Sequence, residues 1–187
     1  TAPCDGTWAA GVTAVANLVS VNVAPTKSSG NDGWTNAVDI QACISNLITV
    51  GNTTKNDTVS NSSNFRASLL DLQAPGTGIV AASGVAGIPG QPQAGPLGSS
   101  PQGSIEFESK SGTSMAAPQV AGAWALARQL LPNANVATIR NLFRATGVPV
   151  ADNRINGTGT AVPRLDLQAA FPQYSGLGTL PNETEFY

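Results

Sequence analysis

Ser111-Gly112-Thr113-Ser114-Met115-Ala116-Ala117-Pro118-Gln119-Val120-Ala121-Gly122 opens the strongest helical pattern in the chain. From about Thr113 to Leu131, the residues Val120, Trp124, Ala127 and Leu131 recur at helical spacing. Ala116, Ala117, Ala121, Gly122, Ala123 and Ala125 spread small side chains over several faces, so the predicted helix is open to close approach and reads as central and buried. Pro118 sits in its early turns and removes the backbone hydrogen bond to the residue four back. A serine placed at such a start meets backbone N–H groups that have no intrahelical partner, which favours negative charge developing nearby. Taken by itself, Gly-Thr-Ser before an apolar run is also an ordinary helix cap.

Outward from this helix, the pattern alternates between short apolar runs and helices. Trp8, Val12, Val15 and Ala16 predict a helix over 8–18, and Val19-Ser20-Val21-Asn22-Val23 alternates with period two and predicts a strand. Ser28-Ser29-Gly30-Asn31-Asp32-Gly33 predicts a turn. Leu47–Gly51 and Leu69–Gln73 are apolar runs suited to interior parallel strands. The Gly, Pro, Gln and Ser text over 84–102 predicts a surface loop. A second helix is expected over 135–145, with Val136, Ile139, Leu142 and Phe143 on one face, ending near Gly147. A short element is expected over 162–170, and the stretch 171–187 reads as a mobile tail. Together these predict an α/β fold of three layers, a mostly parallel sheet with helices on both faces.

Composition narrows the function. A chain of 187 residues, 41% hydrophobic, supports one core and one domain. Charged residues make up 11%, about half the ordinary share. No segment concentrates Lys and Arg, which argues against nucleic acid as a partner. No apolar run approaches a membrane span, and the start at Thr1-Ala2-Pro3 carries no leader pattern, as in a mature or processed chain. Sequons begin at Asn52, Asn56, Asn61, Asn156 and Asn182, acceptors only in a eukaryotic secretory pathway. Cys4 and Cys43, in a chain with no histidine, cannot build an ordinary zinc site. They read as a disulfide in an oxidising compartment, with two buried free thiols as the alternative.

The twelve-residue run resembles the nucleophile segment of the subtilisin-like serine protease family. The resemblance continues, in family order, through Gly30-Asn31-Asp32-Gly33, Ala42–Gly51, Ser60-Asn61-Ser62-Ser63-Asn64-Phe65 and Leu72-Gln73-Ala74-Pro75-Gly76, and covers about residues 4–170. It implies that Ser114 is the nucleophile and that Asn31 and the Ser114 N–H are the oxyanion donors. It also implies that Ser28, Ser29, Gly30, Gly33 and Thr113 line the path of a peptide or protein substrate. The implied enzyme is secreted, extracellular or periplasmic, and uses no cofactor for catalysis. Structural calcium is compatible with its carboxylates and carbonyls, though no ligands are assigned.

The departures are equally informative. Gln119 stands where the family commonly has histidine, and Val23–Ser28 is less apolar than the strand expected before the Asn turn. The family's Asp-Thr/Ser-Gly and His-Gly-Thr segments do not occur before Asn31; Asp5 and Asp39 read as loop or surface acids. A serine hydroxyl without a neighbouring base is a poor nucleophile. The sequence therefore reads as one partial catalytic domain over 1–187, lacking the N-terminal part of the fold, whose Asp and His come from a complementary N-terminal chain or fragment. A non-catalytic binding or structural module derived from the same family is the alternative. A different hydrolase is disfavoured because no Gly-x-Ser-x-Gly elbow is present.

Overall fold

The computed structural model describes residues 4–83, 106–154 and 160–172. The loop expected over 84–102 lies outside these residues, as do the tail beyond Pro172 and the sequons at Asn156 and Asn182. In chain order the elements are α1 (Ala9–Ser20), β1 (Thr26–Ser28), β2 (Ile48–Thr53), β3 (Leu72–Pro75), β4 (Ile79–Ser83), β5 (Glu106–Lys110), α2 (Thr113–Leu130), α3 (Val136–Thr146), β6 (Val148–Val150), β7 (Val162–Arg164) and α4 (Leu167–Ala170). The main sheet has the order β1-β2-β3-β7-β6. β1, β2, β3 and β7 run parallel, and β6 closes one edge antiparallel to β7. β4 and β5 form a separate antiparallel ribbon that leads into α2. The mostly parallel α/β architecture expected from the sequence is therefore what is found.

Burial explains the placement. Every residue of β2 is buried, the polar Thr49, Asn52 and Thr53 included, as in an interior parallel strand covered on both faces. Ile48 and Val50 of β2, with Leu72 and Ala74 of β3, join Ala116, Val120, Ala123, Trp124 and Ala127 of α2 in one core. α3 adds Ile139 and Phe143, and Phe171, counted above with the tail, is buried edge-on against Phe143 at a centroid distance of 6.2 Å. Val59, Phe65, Leu70, Val150 and Val162 make a second cluster. Gln73, fully buried on β3, stitches the sheet by donating from Nε2 to the carbonyls of Val150 and Val162, each at 3.0 Å.

Three expectations need correction. The strand over 19–23 does not form: α1 runs through Ser20, and Asn22 at φ 61° turns the chain while Val23 N–H donates back to Leu18 O. Asn tolerates that left-handed conformation at a helix end, and the alternating valines Val21 and Val23 face solvent instead of a sheet. The strand over 69–73 begins later, at Leu72, because residues 67–69 form a turn closed by Leu69 and Leu70 N–H groups on Arg66 O. The helix over 113–131 forms as α2 but is buried on one side only. Pro118, Ala121, Gly122, Ala125, Leu126 and Gln129 are exposed on the opposite side, and a side chain added at Gly122 would meet nothing within 4 Å.

Two tethers hold the outer segments. Cys4 and Cys43 form a disulfide with a Cα–Cα distance of 5.3 Å, and Cys4 N–H donates to Cys43 O at 3.0 Å. The bridge encloses α1, β1 and the 28–33 turn. On the far side, α3 is anchored by Arg140 and Arg144, which lie 3.4 and 3.7 Å from Oδ1 of Asp71, while Asp71 Oδ2 accepts from Thr49 N–H at 3.0 Å. Of the sequons within the described residues, Asn52 is fully buried, whereas Asn56 and Asn61 are exposed. No helix among the described residues is long and apolar enough to cross a membrane.

Replacing both cysteines by serine is expected to lower the unfolding free energy by about 2–4 kcal/mol, read from urea melts. Asp71 gives a pH signature. Burial pushes its carboxyl above the ordinary range, against the pull of Arg140, the Thr49 N–H and Arg144. A raised folded pKa means that the stability contributed is full below the unfolded value, about 3.9, and is lost as pH rises through the folded value. Wild type should therefore lose stability relative to Asp71→Asn as pH climbs through that window. A difference that stays flat or grows in favour of wild type would contradict this.

Candidate active site

Gly112, Thr113 and Ser114 lead from β5 into the first turn of α2. Gly112 N–H donates to Gly76 O at 2.7 Å, so the entry to the helix crosses closely over the turn that follows β3. Gly76 has no room for a side chain: a Cβ there would stand 2.6 Å from both Asn52 Oδ1 and Gly112 O. Gln119, one turn into the helix, donates from Nε2 to Pro75 O at 2.6 Å and ties α2 to the same turn. Ser114 is exposed at this helix start. Pro118 lacks the N–H that would engage the Ser114 carbonyl.

Thr113 is fully buried and reaches the turn after β1. Its N–H and its hydroxyl both donate to Asn31 Oδ1, at 2.9 and 3.0 Å, and Gly30 N–H donates to Thr113 Oγ1 at 3.3 Å. With its oxygen held from two directions, the Asn31 carboxamide has one orientation, and among the described residues no acceptor engages its Nδ2. Asn31 is itself exposed. A serine hydroxyl, a helix N-terminus and an unoccupied carboxamide NH2 thus share one surface. Such an arrangement suits an oxygen that gains negative charge next to the hydroxyl.

The other residues singled out from the sequence take different stations. Ser28 ends β1, at the unpaired edge of the main sheet among the described residues. Ser29 is fully buried, with its N–H on Val50 O, its carbonyl accepting from Asp39 N–H and its hydroxyl on Asn64 O. Gly30 has φ 106°, and a Cβ there would collide with Asn64 Nδ2 and stand 2.7 Å from Asp39 Cβ. Gly33 lies against the 60–64 segment, donating to Ser62 O at 2.8 Å. Asp5 caps the loop at Ser45, whose backbone N–H and side chain hold its carboxyl below the ordinary range. Among the described residues, no three His, Cys, Asp or Glu side chains group as metal ligands do. Sequence reasoning gave Asn64 no role, because a lone Asn in a Ser/Asn-rich stretch carries no local signal. It also missed β4 and β5, whose pairing is non-local.

Residues 4–162 match the sequence model of the "Subtilase family". Subtilisin BL from Lederbergia lenta is 31% identical over 146 residues, 78% of this chain and 46% of that protein. A protein named extracellular protease from Xanthomonas campestris pv. campestris is 29% identical over 154 residues, 82% of this chain and 24% of its own length. The solved structure of proteases from Pseudoalteromonas arctica PAMC 21717 superposes with a TM-score of 0.69 at 24% identity, over 88% of this chain and 46% of that one. At that identity the likeness is one of fold. The chain spans half or less of the length of these relatives.

Gly30→Ala combines a left-handed backbone with the collision against Asn64 and Asp39. It is expected to cost at least ~2 kcal/mol in unfolding free energy, measured by thermal or urea melts, whereas Gly122→Ala should cost nothing.

Proposed function

Because this chain belongs to the subtilase family, we propose that it is the C-terminal part of a subtilisin-like serine endopeptidase, supplying the nucleophile Ser114 and the oxyanion donor Asn31. The observation that carries this reading is the clamp of Thr113 on Asn31 Oδ1 beside Ser114, which leaves Nδ2 available. The base is an imidazole from another segment or chain, oriented by an aspartate, since none of the 187 residues is histidine.

The step sequence follows from these groups. The imidazole takes the Ser114 Oγ proton as Oγ bonds to the scissile carbonyl carbon. The carbonyl oxygen gains the electron pair and is held by Asn31 Nδ2 and the Ser114 N–H. The imidazolium passes its proton to the departing amine, the C–N bond breaks, and an acyl-Ser114 remains. Water, activated by the same imidazole, releases the acid. Ser28, Gly30 and Gly33 lie along the path of the peptide, while Ser29 and Thr113 support that path from below.

Two surfaces support a complementary segment: the unpaired edge of β1 and the exposed side of α2. A small-residue helix face lets another helix approach closely, and an open edge accepts a further strand. The disulfide and the extracellular relative support secretion. Peptides are the substrate class.

A fluorophosphonate followed by intact mass spectrometry and peptide mapping tests the assignment on natively purified material. We expect one adduct, on Ser114, in material that contains a histidine-bearing segment or partner, and none on the isolated 187-residue chain or on Ser114→Ala. An unlabelled Ser114 in histidine-bearing material would overturn the catalytic reading. Natively purified material in which this chain is stable and no histidine-bearing segment or partner accompanies it would favour the non-catalytic module. Asn31→Ala should lower kcat by about 10²–10³-fold, the cost of one such donor in serine proteases of this kind, with KM nearly unchanged.

A further inference from the structure

We propose that Asn64 is a positioning residue that fixes the oxyanion turn and, through it, the aim of Asn31; this deepens the catalytic reading above and rests on it. Asn64 is fully buried. Its Oδ1 accepts from the N–H groups of Asp32 and Trp34 at 2.9 and 3.1 Å, and its Nδ2 donates to Asp32 Oδ2 at 3.0 Å. Its backbone continues the grip, with Asn64 N–H on Gly30 O at 2.9 Å and Ser29 Oγ on Asn64 O at 2.8 Å. Asn64 therefore touches the turn on both sides of Asn31 without touching Asn31 itself.

Among the described residues, two side chains from outside the turn hydrogen-bond to it. Thr113 holds it from the α2 side through Asn31 Oδ1 and Gly30 N–H. Asn64 holds it from below, and Gly30 is open to that approach only because it lacks a Cβ. Loss of the Thr113 grip frees the Asn31 carboxamide, and loss of the Asn64 side chain leaves the Asp32 and Trp34 N–H groups unpaired in a part-buried setting, which loosens the turn that carries Asn31. A donor that swings away from the developing oxyanion loses its effect on the transition state while substrate binding remains.

The chemistry of the Asn64–Asp32 contact supplies a reversible test. Asn64→Asp keeps an acceptor for both N–H groups but sets a carboxylate against Asp32 Oδ2. Adding Asp32→Asn restores a donor and an acceptor with their places exchanged. In the complete protease, this chain with its histidine-bearing partner, Asn64→Asp should lower kcat about 10- to 100-fold with KM within about twofold, and the exchange should recover most of the loss. In an Asn31→Ala background the same substitution should cost less than about twofold more, because both act through one donor. Full multiplication of the two effects, a loss confined to KM, or no recovery in the exchange would overturn the inference. If Asn31→Ala itself leaves kcat unchanged, the oxyanion assignment fails instead, and the two failures are distinct. The isolated chain gives an answer that does not depend on activity. The 1H–15N pair of the Asn31 carboxamide should shift in Asn64→Asp and return in the exchange, and an Asn31 signal indifferent to both would also overturn it.

Discussion

The bond pair from Thr113 to Asn31 Oδ1 is the constraint on which the rest of the site depends. It joins residues 82 apart in sequence, one at the start of α2 and one in the turn after β1. A carboxamide oxygen has two acceptor sites, and here both are filled by one residue, so the nitrogen can point only away from Thr113. For that to hold, α2 must enter at a fixed height over the sheet. The crossing of Gly112 over Gly76 sets the height, since two backbones approach there with no side chain between them. The sheet is the reference frame: β2 and β3, fully buried at their cores, fix both the Gly76 turn and the strand that precedes Asn31.

The same frame explains how a chain with so few charges is organised. Its buried polar groups are mainly amides and hydroxyls, such as Gln73, Asn52, Ser63 and Asn64, and most are tied to backbone. Neutral groups carry a smaller desolvation cost than ions, and each satisfied bond fixes one register or one turn. Two charged contacts stand apart. Asp71 binds α3 to the sheet through Arg140 and Arg144, and the buried Asp152 is gripped by Arg154, whose Nη1 also donates to Asn61 O. Both serve packing, and the donors proposed beside Ser114, Asn31 Nδ2 and the Ser114 N–H, are neutral.

What was legible in the sequence follows from whether its cause is local. α2 and α3 could be read because their apolar positions repeat within each helix, and Asn135 caps α3 by accepting from Thr138 N–H. β2 could be read because Leu47–Gly51 is a short, largely apolar run of strand length. Val19–Val23 misled because alternation is only a pattern: Asn22 accepted a left-handed turn, Val19 stayed on the helix against the core, and Val21 and Val23 were left outside. β6 escaped because Pro149 speaks against a strand, yet β6 is an edge strand, where a missing N–H costs nothing. At the site, Ser114 and Asn31 came from the resemblance of whole segments. Asn64 had no such signal, because its role exists only once Asp32 and Trp34 fold back over it.

In the proposed reading, a chain with no histidine of its own still holds a finished oxyanion turn, and the physics of the fold says why. Catalytic donors of this type work by being in place before charge develops, so their geometry must be maintained by bonds that exist with no substrate and no imidazole present. Each grip on Asn31, from Thr113 and through Asn64, lies wholly within this chain. In the proposed reading the base makes a different demand: supplied by another segment or chain, it meets Ser114 at the exposed start of α2, beside a helix side that includes the small residues Ala121, Gly122 and Ala125. The division is physically consistent. On that reading, preorganised electrostatics lies within this chain, and proton transfer belongs to the segment that packs against it.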